Sequence, residues 1–175
     1  MNPFQVLGLE PRFDLDAAIL EERHRELSRV LHPDKHAGGS ASERRLALSR
    51  AIEVNEAFRI LRDPIRRAQT LFEQQGIPTG EASQSKASPA LLMEMMEARE
   101  ELADAARAKK LDKVVALGAA MQKREAALVE KLARAFAAAG DDKLKLGEAE
   151  AILGELRYAK RYLDEVAAFE EALTQ

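Results

Sequence analysis

Apolar residues in the first half of the chain recur at helical rather than strand spacing. Leu20, His24, Leu27 and Leu31 stand at i, i+4, i+7 and i+11, so they share the inward face of one helix. Asp14 or Asp16 supplies its cap. Pro33 ends it, because the residue before a proline is pushed out of the helical region. Ahead of it, Asn2-Pro3 offers a cap and a first-turn proline to a short helix whose apolar side, Phe4 and Leu7, stops at Gly8. Residues 32–42, with Gly38-Gly39-Ser40, read as a loop. A third helix starts near Ser42 and carries Ala47, Ala51, Val54, Phe58 and Leu61 on one stripe. Asp63-Pro64 restarts the chain as a fourth, Ile65 to Gln75.

The second half predicts three longer helices. Ser88 caps the first, Pro89 takes its first position, and it runs to Ala108. The second covers Leu111 to Ala139 and stops at Gly140; the third spans Leu146 to Leu173. Short connections between long amphipathic helices imply an antiparallel bundle. Between the halves, residues 76–89 hold two glycines, two prolines and three serines, a composition that breaks helices. The expected organisation is a helical domain over 1–75, an elbow over 76–88 and a three-helix bundle over 89–175.

Composition agrees with an all-α protein. Of 175 residues 46% are hydrophobic and 33% charged, while aromatics, which favour strands, reach only 5%. Without cysteine there is no disulfide, no thiolate nucleophile and no cysteine ligand for zinc or an iron–sulfur cluster. A net charge of −3 argues against nucleic-acid binding through a basic field. No stretch is long and apolar enough for a membrane span, and the start shows neither the basic nor the apolar part of a secretory signal. The expectation is a soluble, cytoplasmic protein.

Chemistry concentrates at two places. In Leu31-His32-Pro33-Asp34-Lys35 the proline fixes φ and removes a donor, which holds His32 and Asp34 in a stiff corner. The Asp34 carboxylate can accept from an arginine, and the His32 imidazole can hydrogen-bond a partner's backbone. The bland reading is a plain turn, since Pro-Asp is common turn chemistry. His32, Asp34 and His36 alternate like a metal site, which makes a metal-dependent enzyme a rival of another class. Alternate residues share a face only on a strand, however, and this segment is a proline-containing loop. No phosphate-binding glycine loop and no recognisable Ser-His-acid set is present, so no catalytic residue and no cofactor is assigned. Arg25 and Arg29, four apart, fall opposite Leu20, Leu27 and Leu31 on the preceding helix.

The other place is the helix after Pro89. Leu91, Met95, Ala98 and Leu102 already make a core stripe. Leu92, Met93 and Met96 lie about 100–200° away, on the side of Glu97 and Glu100. A helix that needs one buried face shows a second, which invites either a partner or a covering helix. Methionines suit an adaptable surface, and the glutamates favour a basic partner. On the last helix Ile152, Leu156, Ala159, Leu163 and Val166 point inward, while Tyr158, Tyr162 and Phe169 share another face as anchors or padding.

His-Pro-Asp between two helices resembles the signature of J domains, the DnaJ-type co-chaperones. The stretch Val54-Asn55-Glu56-Ala57-Phe58-Arg59-Ile60-Leu61-Arg62-Asp63-Pro64 looks like the end of their long third helix. Arg66-Arg67-Ala68-Gln69-Thr70-Leu71-Phe72, the opening Phe4-Gln5-Val6-Leu7-Gly8-Leu9 and the run from Leu92 to Leu102 resemble the HscB family of iron–sulfur cluster co-chaperones. Leu31 stands where J domains usually carry tyrosine and His36 where they carry phenylalanine; the cysteine pairs of eukaryotic members are missing, as in bacterial ones. The resemblance implies an L-shaped, monomeric co-chaperone that is not an enzyme. It implies that His32, Pro33, Asp34, Lys35, Arg25 and Arg29 contact a DnaK-type chaperone (HscA) and stimulate its ATPase. It implies that Leu92, Met93, Met96, Glu97, Glu100 and Tyr158 hold an IscU-type scaffold. A J protein with another client, or a helical adaptor that stimulates nothing, are the neighbouring readings.

Overall fold

The structure, a computed structural model, describes residues 2–79, 88–140, 142 and 145–174. Among them every regular element is helical, and the chain divides into two compact units, Met1–Pro78 and Thr79–Gln175. Most of the elbow expected over 76–88 lies outside the described residues. No helix among the described residues is long and apolar enough to cross a membrane.

The first unit contains α1 (Pro3–Leu7), α2 (Ala17–Val30), α3 (Ala41–Arg62) and α4 (Pro64–Gln74). Asn2 Oδ1 caps α1 by accepting from the Phe4 N–H at 3.1 Å, and Gln74 Nε2 donates to the same oxygen at 3.2 Å, tying α4 to α1. Gly8 closes α1 at φ 64: its N–H donates to Gln5 O and that of Leu9 to Phe4 O, a paired closure that needs the left-handed region. Of the two candidate aspartates, Asp16 caps α2. Asp63 both ends α3 and caps α4, accepting from the N–H groups of Ile65 and Arg66.

Two expectations are corrected. The segment after His32 is not wholly irregular: Pro33–His36 forms one turn of 3-10 helix, for which proline at the first position is already shaped. Helix α3 then begins at Ala41, because Ser40 and Glu43 form a reciprocal capping box. The apolar stripes also shift. On α2 only Leu20 is fully buried, with His24, Leu27 and Leu31 half-buried. On α3 Ala57 is buried and Phe58 only half so, because α3 packs against α1, α2 and α4 rather than one partner. The His24 ring stacks on Phe58 with centroids 4.1 Å apart, and its Nε2 donates to Asn55 Oδ1 at 2.9 Å. This contact joins α2 to α3 across the hairpin that carries the loop.

Arg67 explains part of the arginine-rich run. Its guanidinium lies 4.7 Å from the buried Phe13 ring, and Nη1 donates to the Leu61 carbonyl at 2.8 Å near the end of α3. Burial pulls its pKa down from the ordinary arginine value, opposed by Asp14 and Asp63. The side chain straps the α1–α2 loop to the α3–α4 corner.

The second unit is a three-helix bundle of α5 (Pro89–Arg107), α6 (Leu111–Ala139) and α7 (Leu146–Thr174). Helices α6 and α7 pair along most of their length, and α5 packs on both less extensively. The α5–α6 connection is short: Lys109 takes φ 53, its N–H donates to Ala106 O, and that of Lys110 to Ala105 O. At Gly118 α6 approaches α7 so closely that a Cβ would stand 2.8 Å from Val166 Cγ1. Tyr162, read as either an anchor or padding, is padding: it is buried at 3% exposure, because α5 covers that side of α7.

Gly118→Ala therefore lowers stability by about 1–3 kcal/mol, although glycine to alanine inside a helix ordinarily gains about 1 kcal/mol. Val166 is β-branched and stiff. In urea unfolding, Gly118→Ala with Val166→Ala loses less than the sum of the single variants; strict additivity would show that the close approach is not the cause.

Candidate functional site

The His-Pro-Asp corner is held from beneath and open above. His32 caps the 3-10 turn: its Nδ1 accepts from the Asp34 N–H at 3.3 Å, and the Lys35 N–H donates to His32 O at 3.0 Å. With Nδ1 accepting, Nε2 is the ring's remaining donor. The Asp34 side chain is 89% exposed, with Oδ2 3.5 Å from His32 Nδ1. Below the corner, His36 Nε2 donates to the Val30 carbonyl at 3.0 Å, closing the turn on the end of α2. Arg44 Nη1 donates to the carbonyls of Ala37 and Gly39, and the Ser40 N–H donates to Glu43 Oε2 at 2.6 Å. The stiffness comes from backbone contacts, which leaves the His32, Asp34 and Lys35 side chains outward.

His36 thus staples the loop and does not join His32 and Asp34. No group of three or more His, Cys, Asp or Glu among the described residues is placed to share a metal ion. Arg25 and Arg29 are exposed on α2. Neither makes an ion pair among the described residues, whereas Arg23 is held by Glu26 at 3.2 Å.

In the bundle, Met95, Leu102 and Ala105 are buried on α5, with Leu91 and Ala98 half-buried. Leu92, Met93 and Met96 are 40%, 63% and 69% exposed, and no helix of the unit covers them. Glu97 and Glu100 are exposed beside them. Ion pairs flank this face on both sides. Toward α6, Arg124 Nη2 donates to Glu94 Oε2 at 3.1 Å, which holds the Glu94 carboxyl below the usual range. Lys113 meets Glu101 at 3.0 Å. Toward α7, Arg99 Nε donates to Glu165 Oε2 at 3.1 Å, and the bonds to Glu165 raise the Arg99 pKa.

Tyr158 is half-buried on α7, in a shallow cleft with Met95, Arg99, Arg161, Tyr162 and Glu165. The cleft brings Tyr158 beside Met95 and Arg99 of α5. The Arg161 guanidinium lies 4.7 Å over the Tyr158 ring. Sequence reasoning missed Arg161; the i, i+3 spacing of aromatic and arginine was its only signal. It also missed the loop-closing roles of His36, Arg44 and Glu43, of which only the Ser-x-x-Glu pattern was visible.

The chain is similar to known proteins along its length. A family model described as DnaJ domain matches residues 2–70, and one described as HSCB C-terminal oligomerisation domain matches residues 87–167. The co-chaperone protein HscB homolog of Pasteurella multocida is 37% identical over 178 residues, 99% of this chain and 98% of that protein. The structure of the chaperone HscB from Vibrio cholerae is similar with a TM-score of 0.80 at 30% identity, covering 99% of each chain. Human co-chaperone protein HscB has a TM-score of 0.82 at 23% identity over 96% of this chain and 81% of that one, a likeness of fold.

The capping box fixes a pH dependence. Hydrogen bonds from Ser40 hold the Glu43 carboxyl below the ordinary glutamate value. The folded pKa is below the unfolded one, so this support of the loop is complete above the ordinary glutamate range. It is lost as the pH falls through the folded value. NMR titration shows Glu43 titrating below the ordinary glutamate value, and Ser40→Ala, which removes the hydroxyl but keeps the backbone N–H, raises it only part of the way; an ordinary value in the unsubstituted protein would mean the box does not form in solution.

Proposed function

The chain belongs to the HscB family of J-domain co-chaperones, and from that premise we propose that it escorts an IscU-type iron–sulfur scaffold to a DnaK-type chaperone (HscA). On this reading 1–75 is the J domain, 76–88 the elbow and 89–175 the scaffold-binding bundle. The J domain stimulates the chaperone's ATPase through His32, Pro33, Asp34 and Lys35, with Arg25 and Arg29 on the approach. The bundle holds the scaffold through Leu92, Met93, Met96, Glu97, Glu100 and Tyr158. The chain works as a cytoplasmic monomer and performs no chemistry of its own: the ATPase is the partner's, and the cluster stays with the scaffold.

The observation that carries this reading is the exposure of Leu92, Met93 and Met96 on a helix whose opposite side already makes the core. Burying three such side chains contributes about 1.5–3 kcal/mol each, a driving force available only to a partner. Arg161 stacked on Tyr158 limits the ring's freedom before binding, which lowers the entropic cost of using it as an anchor. At the other unit, Asp34 offers an acceptor-only carboxylate on a turn that cannot relax, suited to an arginine of the chaperone. Two separate surfaces let one chain touch both partners.

Asp34→Asn removes the charge and keeps the shape. Steady-state ATPase of the DnaK-type chaperone then loses stimulation by this protein, while scaffold affinity stays intact; wild-type stimulation would remove the mechanism. Leu92→Ala, Met96→Ala and Glu100→Ala together leave the melting temperature little changed, since these positions are exposed. Scaffold affinity falls by roughly thirtyfold or more for a central apolar anchor, at about 2 kcal/mol each. Unchanged scaffold titration would place the client elsewhere.

A further inference from the structure

With no cysteine in the chain, methionine is the only sulfur that can respond to oxidants. Burial sorts the methionines of the bundle sharply. Met93 and Met96 are 63% and 69% exposed on the outer face of α5, whereas Met95, between them in sequence, is 6% exposed and Met121 8%. A neutral oxidant reaches the first two and is shut out from the others. The negative charge of Glu97 and Glu100 nearby does not repel an uncharged peroxide.

We propose that Met93 and Met96 form a redox-sensitive modification site, through which hydrogen peroxide, or another two-electron oxidant of that class, reversibly weakens scaffold binding. This rests on the assignment of the α5 face to the scaffold. In the reaction a thioether sulfur attacks one peroxide oxygen. The S–O bond forms, the O–O bond breaks, the second oxygen leaves as hydroxide, and it takes the proton from the oxygen now on sulfur to become water. Sulfur is oxidised by two electrons to the sulfoxide, and peroxide is reduced. The change turns a flexible apolar contact into a polar one. A sulfoxide buried against an apolar partner without a hydrogen-bond donor carries the cost of an unpaired polar group. Core packing is untouched, because neither side chain contributes to it.

The site acts on the free co-chaperone only. Scaffold seated on α5 covers both sulfurs, so oxidation blocks new loading rather than dismantling complexes already formed. Reduction of the sulfoxide restores the apolar surface.

The test treats purified protein with hydrogen peroxide, maps the gain of one oxygen atom by peptide mass spectrometry and titrates purified IscU-type scaffold. Met93 and Met96 oxidise well ahead of Met95 and Met121. Affinity then drops by about tenfold, in line with burying a poorly paired polar group. The melting temperature is retained, bound scaffold protects both sites, and methionine sulfoxide reductase restores binding. Met93→Leu with Met96→Leu conserves volume and apolarity without a sulfur on this face, and peroxide leaves this variant's affinity where it stood before treatment. Full affinity with Met93 and Met96 oxidised would overturn the proposal. Equal loss in the leucine variant would do the same, placing the sensitive group elsewhere. If untreated protein fails to bind the scaffold, the assignment of the face falls, and the proposal falls with it.

Discussion

Helices α6 and α7 approach closely because Gly118 has no side chain where Val166 stands. The rest of the second unit follows from that contact. Two helices paired along most of their length present one continuous groove, into which α5 lays Met95, Leu102 and Ala105. Because the groove is shared, α5 needs only one stripe to be held, and its remaining circumference is free. A helix that is apolar on more than one side is normally surrounded; within the described residues of its unit α5 packs on two helices, α6 and α7. Leu92, Met93 and Met96 are left in water by that arrangement, not by any lack of hydrophobicity.

The first unit solves the opposite problem, keeping polar groups outward without letting the chain around them wander. Its loop is fixed by main-chain acceptors: Val30 for His36, Ala37 and Gly39 for Arg44, and His32 for Lys35. Backbone contacts of this kind consume no functional side chain. The His24–Phe58 stack below sets the spacing of α2 and α3 on which the loop is hung. His36, where J domains usually carry phenylalanine, closes the loop through a hydrogen bond to the Val30 carbonyl.

Much of this was legible in the residues. Pro33, Gly8, Asp63-Pro64, Ser88-Pro89 and Gly140 act through backbone geometry that each residue imposes by itself, so helix ends were readable to within a residue or two. The outer face of α5 was readable because a helical wheel needs only spacing, and the wheel separated Met95 from Met96 correctly. What escaped depends on pairs distant in sequence. The choice between anchor and padding at Tyr162 needs α5 beside α7, and the half-exposure of Phe58 needs α1, α2 and α4 around α3. The role of His36 needs the Val30 carbonyl to face it, and that of Arg67 needs Phe13 to fold back from the first loop. No local pattern encodes those meetings; only the assembled chain does.

Helix α5 is a cantilever. Its C-terminal end turns into α6 through the tight closure at Lys109, while toward its N-terminal end Met95 is the last of its fully buried side chains. Leu92 stands fifteen residues from Arg107 along α5, about 22 Å of helix at about 1.5 Å per residue. A tilt of about 5° at the clamp moves it by about 2 Å over that length. The braces nearest the N-terminal end are electrostatic, Glu94 with Arg124 and Arg99 with Glu165, and in each one partner is more than half exposed and the other about a third. Ionic strength therefore reaches the outer face of α5 through mechanics as well as charge: salt that softens the braces lengthens the excursion of this end of the helix, where Leu92, Met93 and Met96 are exposed.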